Sequence, residues 1–141
     1  MPYLFVLASI IAVAAISFMY KMVLTRIIVD PDSYSKNMTK FFIGTGIGEA
    51  IPIILLVIGL ANIQNYTDTE QILLPLILIV VLWVSGIFFI FLQRKFAIGG
   101  VVAGSKQEEI MPMIRTFSLI ATGVTGAIPI ASFIALLTAI L

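Results

Sequence analysis

Cysteine and histidine are both absent from this chain. Their absence excludes disulfides, thiol chemistry and any metal site built on those two ligands. Charge is scarce too, with 8 Lys and Arg and 7 Asp and Glu among 141 residues. A formal net charge of +1 says nothing about nucleic acid, and no nucleic-acid partner is expected. No nucleophile–base pair stands out, so the chain is expected to hold no catalytic site, cofactor or metal of its own.

What it has instead is apolar length. Hydrophobic residues make up 61% of the sequence. They gather in four runs, about Tyr3–Leu24, Phe41–Ile63, Ile72–Leu92 and Thr116–Leu141. Each reaches or exceeds the ~20 residues that a helix needs to cross a ~30 Å hydrocarbon core. None shows the period-two alternation of a barrel strand. The expected fold class is therefore an all-α membrane protein with four transmembrane helices. The first run starts almost at Met1 but lacks a basic leader and a small-x-small cleavage site, so it reads as a retained helix. Ala8, Ser9, Ala12, Ala14, Ala15 and Ser17 make that helix rich in small residues, which suit close helix packing or a ring-forming face.

The charges give the orientation. Lys21, Arg26, Lys36, Lys40, Arg94, Lys95, Lys106 and Arg115 all lie in or beside the first and third connections. The central connector, Gln64–Gln71, has Asp68 and Glu70 but no Lys or Arg. By the positive-inside rule the segments 25–40 and 94–115 are expected in the cytoplasm and both termini outside. Asp30-Pro31-Asp32 marks a sharp turn, because proline disfavours helical geometry in the residue before it.

An internal repeat organises the rest. Ile43–Ile53 (IGTGIGEAIPI) lines up with Ile120–Ile130 (IATGVTGAIPI), with seven of eleven positions identical. The chain then divides into two tandem hairpins of the same orientation, residues 1–66 and 67–141. Pro52 and Pro129 match, and a shared kink is expected there. One difference decides the reading: Glu49 in the first half stands opposite Gly126 in the second.

Glu49 is the one charged residue in the twenty from Phe41 to Leu60, and it lies in the interior of its run rather than near an end. An intramembrane acid is costly to keep and is a functional-site hypothesis by default. Its surroundings support that reading. Pro52 cannot donate to the carbonyl of Gly48, which leaves an acceptor free beside the acid. Gly44, Gly46, Gly123 and Gly126 are expected to form close-packing faces, and Ser17 is placed as a hydrogen-bond donor to Glu49. A carboxyl removed from water favours its neutral form, so Glu49 is expected to rest protonated. The competing reading makes it interhelical glue, worth ~0.6–2 kcal/mol.

These residues resemble a family. The pattern from Phe41 to Ile54, with Gly44, Glu49, Ala50 and Pro52-Ile53-Ile54, is similar to the carboxylate helix of the proteolipid c subunit of rotary F- and V-type ATPases. The family's polar-loop pattern falls on Val29-Asp30-Pro31-Asp32 and again on Lys106-Gln107-Glu108-Glu109. Two hairpins with one acid resemble the duplicated V-type members, although in the commonest of those the acid is in the second hairpin. The resemblance implies a homo-oligomeric ring in a bacterial plasma membrane, moving one proton per chain through Glu49. It also implies an Arg-bearing stator subunit and a soluble ATPase head as partners. Sodium-selective members share a Gln on the first helix and a hydroxyl after the acid; here Ile16 and Ala50 stand at those places, which favours protons. The alternative is an orphan relative, a ring or smaller oligomer with a structural or pore role. It is favoured by Val29, where the family has a basic residue, and by the lack of alternating glycines in the first and third runs.

Overall fold

The computed structural model describes residues 3–63, 69–100 and 107–140. Among them lie five helices, α1 (Tyr3–Val29), α2 (Tyr34–Ala61), α3 (Thr69–Gly100), α4 (Gln107–Thr125) and α5 (Ala127–Ile140), and a 3-10 turn at Pro31–Ser33. α1, α2, α3 and the α4–α5 pair are each long and apolar enough to cross a membrane. The chain is an all-α, four-span membrane protein. The polar centre of the second connector (64–68) and the stretch holding Gly104 and Lys106 lie outside the described residues.

The helices outrun the apolar runs at the basic end. α1 continues to Val29 and α2 begins at Tyr34, so most of segment 25–40 is helical rather than loop. The same holds for 94–115, where α3 reaches Gly100 and α4 starts at Gln107. Lys and Arg are good helix formers, and nothing before Pro31 stops α1. At the turn the Asp30 amide donates to the Arg26 carbonyl at 2.9 Å. Ser33 Oγ donates to the Asp30 carbonyl at 2.9 Å, and Asn37 Nδ2 donates to Ser33 Oγ at 2.9 Å. The Asp30 carbonyl at the end of α1 is thereby capped by the Ser33 hydroxyl, which Asn37 holds in place.

α1 is the central helix, packed against each of the others. Its small residues allow this: Ala8, Ser9 and Ala12 are fully buried. α1 and α2 are antiparallel, with Gly44 against Met19, Gly48 against Ala15 and Gly59 against Phe5. α1 and α3 run parallel. Phe5 shares a cluster with Ile72 and Ile79, Gly86 abuts Val13, and Tyr20 shares a second cluster with Ile90. The two hairpins therefore have the same orientation, as the repeat implies.

An aromatic group at the basic end ties three helices together. Tyr20 of α1 stacks on Phe117 of α4 with centroids 5.1 Å apart, and Phe41 of α2 meets Phe117 edge-on at 4.9 Å. Tyr20 Oη and Ser118 Oγ share a buried hydrogen bond of 2.6 Å.

The two prolines behave differently. α2 runs unbroken through Pro52, whereas the fourth span is interrupted at Gly126, three residues before Pro129. Each proline removes one helical hydrogen bond. In the second half a glycine adds its own low helix propensity at the same turn. Helical hydrogen bonding thus continues past Pro52 in the first hairpin and is interrupted at Gly126 in the second.

Candidate functional site

The buried residues of α2 are Asn37, Phe41, Thr45, Pro52 and Gly59. Glu49 follows Thr45 by four and precedes Pro52 by three, so it lies on that same inward stripe. It is fifteen residues from the start of α2, about 22 Å along the axis at 1.5 Å per residue, and so near mid-span. The side chain is half-buried. Its Oε1 is wholly buried and has no hydrogen-bond partner.

The seam beside the acid is unusually close. A Cβ on Gly48 would lie 2.9 Å from the Cβ of Ala15. Only a residue without a side chain lets the two backbones approach that far. Gly44 belongs to the same seam, where its missing side chain leaves room for Met19. The pairing of residue 44 with 19 and 48 with 15 sets Glu49 level with Ala14.

Several expectations require correction. Gly46 has no atom within 4 Å of where a Cβ would stand, and the same is true of Gly123. Neither packs a helix within the chain. Two residues along a helix is about 200° of rotation, which turns Gly46 away from the face holding Gly44 and Gly48. Ser17 does not hydrogen-bond to Glu49, whose buried oxygen is unpartnered. Ser17 is displaced along α1 from the level of the acid by about one turn. Pro52 is buried on the inward stripe as a neighbour of the acid.

Thr45 was missed. It is 4% exposed, and its Oγ1 is buried without a partner, one turn before Glu49. Its repeat counterpart, Thr122, donates instead to the Ser118 carbonyl at 2.8 Å. The shared Thr-Gly pair carried the signal, since Thr45 stands at i−4 from the acid.

The second hairpin fills the acid's place differently. A Cβ at Gly126 would lie 3.1 Å from Trp83 Nε1 and 3.1 Å from Ile130 Cδ1. The first hairpin sets a glutamate level with small alanines, and the second sets a glycine against an indole. Trp83 Nε1 is buried and unpartnered. Its position near the middle of α3 is itself a sequence signal, because membrane tryptophans concentrate at the interfaces.

No protein-family model, curated protein or solved structure matches the chain. Among the described residues no group of three or more Asp or Glu could hold a metal ion.

Proposed function

We propose that this chain is a proton-carrying subunit of an oligomeric membrane ring, of the type formed by the c subunit of rotary ATPases. Glu49 takes up a proton when it meets a polar channel or a fixed cation on a stator subunit, and carries it neutral through lipid. The observation that supports this reading is the placement of one carboxyl near mid-span with a buried oxygen that no protein group satisfies. An acid serving as glue between helices of one chain would use that oxygen in a hydrogen bond there, so any glue role must act between subunits. A solitary donor–acceptor awaiting a partner from outside fits ion transfer better. α2 is also the least buried of the four spans, which leaves most of its surface open to other subunits or lipid. In this scheme the basic ends face the bacterial cytoplasm and an attached ATPase head, and both termini face outward.

A second reading keeps the oligomer and drops the ATPase. Trp83 and its packing against Gly126 favour it, because the third helix is bulky where ring-packing helices of that family carry glycines.

Reconstitution into liposomes with the partner membrane subunits, scored by proton flux, tests the proposal. Glu49→Gln is expected to abolish flux while the native mass of the detergent-solubilised oligomer stays unchanged. Loss of the oligomer in that variant supports glue and overturns the carrier. A small oligomer that moves no protons in either form supports the second reading.

A further inference from the structure

Two hollows lie in line along the seam between α3 and the α4–α5 span, a trough in two parts whose chemistry differs. The upper part has a volume of about 420 Å³ and is flanked by Arg94 of α3 and Arg115 of α4, with Ile87, Phe91 and Leu119 below them. The lower part, about 250 Å³, is lined by Val80, Trp83, Ile130 and Phe133 among others and exposes no polar surface. The residues that line the two parts follow one face of α3, from Arg94 through Ile87 and Trp83 to Val80. That spacing is a helical stripe. From Arg94 to Val80 is fourteen residues, about 21 Å of axis at 1.5 Å per residue, close to a phospholipid's reach from its phosphate down one leaflet.

Arg94 and Arg115 stand at one level along their helices and line the same hollow. α3 and α4 are antiparallel, with Trp83 against Gly126 and Gly86 against Thr125. Continuing that pairing by helical turns brings Arg94 level with Arg115. Among the described residues no acidic side chain lines the trough. Neither arginine has an acid three or four residues away on its own helix: the neighbours are Ile90, Phe91, Ala97 and Ile98 for Arg94, and Met111, Pro112, Ser118 and Leu119 for Arg115. The hydroxyls below add little pull. Ser118 is engaged with Tyr20 and Thr122 with the Ser118 carbonyl.

From this arrangement we infer that the trough is a binding site for an anionic phospholipid, the phosphate held between Arg94 and Arg115 and one acyl chain laid down to Trp83. Paired guanidiniums match phosphate oxygens by charge and by their fork of donors. Basic hollows between membrane helices at the positively charged end are suited to anionic headgroups. A free phosphate would use the arginines alone and leave the apolar part of the trough empty. A zwitterionic lipid would set its own cation close to both arginines.

The molecule supplies its own reporter, because Trp83 is the sole tryptophan. In nanodiscs of zwitterionic lipid, the full chain is titrated with phosphatidylglycerol or phosphatidylcholine brominated midway along the tails, and tryptophan quenching is followed. Half-maximal quenching is expected at roughly thirtyfold less of the anionic lipid, from two basic contacts near the membrane surface. Arg94→Gln with Arg115→Gln is expected to remove that preference. Lys21→Gln with Arg26→Gln, which changes as much charge away from the trough, is expected to keep it. Far-UV circular dichroism of each variant confirms that the helices persist. Equal quenching by both lipids in the unaltered chain overturns the proposal, as does a preference that survives loss of both arginines. Loss of the preference on adding inorganic phosphate at matched ionic strength assigns the arginines to a soluble anion and likewise overturns the lipid site.

Discussion

Replacing Gly48 by alanine tests the tightest contact beside the candidate site. The added methyl would sit 2.9 Å from the Cβ of Ala15, and no other atom lies within 4 Å of it. Ordinary carbon–carbon contact is about 3.5–4.0 Å, so α1 and α2 must part by about 0.6–1 Å. Neither group can rotate away, because both are methyls fixed to helix backbone. Overpacking of this kind costs about 1–3 kcal/mol, partly offset by alanine's helix propensity, which is about 1 kcal/mol better than glycine's. Gly46→Ala is the matched control, since the space around it within the chain is open. It is expected to leave stability unchanged or to raise it by up to about 1 kcal/mol. Reversible unfolding in mixed detergent micelles, followed by circular dichroism, reads both. The decisive measurement is rescue. Ala15→Gly removes the one atom in the way, so the pair Gly48→Ala with Ala15→Gly should recover at least half of the loss. In a double-mutant cycle the two changes should couple by about 1–2 kcal/mol. Equal stabilities for the two glycine variants, or no recovery in the pair, would refute the close-approach reasoning.

Other outcomes follow from the same geometry. Dicyclohexylcarbodiimide, which attacks protonated carboxyls in apolar surroundings, should label Glu49, and faster as the pH is lowered; mass spectrometry of the labelled peptide checks this, and no labelling would contradict an acid held neutral. Thr45→Val removes a buried hydroxyl that has no partner within the chain. It should leave stability level or improve it, since an unsatisfied buried hydroxyl costs about 1–3 kcal/mol, and on the proposed carrier reading proton flux should fall. Unchanged flux would remove Thr45 from the site. Tyr20→Phe deletes one side of the 2.6 Å bond to Ser118 and should cost about 0.6–2 kcal/mol in detergent unfolding.

The span count, the helical class and the common orientation of the two hairpins were legible from residue types alone. Water is absent from the bilayer core, so apolar length and the position of Lys and Arg constrain a membrane chain more tightly than composition constrains a soluble one. Glu49 was legible for the same reason: a charge within an apolar run stands out without any knowledge of its neighbours. The roles of individual small residues were not. Gly44, Gly46 and Gly48 look equivalent as text, yet two form the seam with α1 and the third faces outward, because rotation about a helix is settled only by what packs against it.

Tertiary contact also decided matters that no local pattern carries. Ser17 stands near the acid in a schematic hairpin, but the register set by Gly44 on Met19 and Gly48 on Ala15 puts Ala14 at that height. The identical Ala-Ile-Pro-Ile segments lie in an unbroken helix in one half and beside an interruption in the other. Sequence fixed which residues a bilayer would tolerate and where the chain must turn, since those depend on transfer from water one residue at a time. Which helix became the centre, which oxygen of Glu49 was left without a partner, and where Trp83 found room depend on the surfaces of several helices meeting at once.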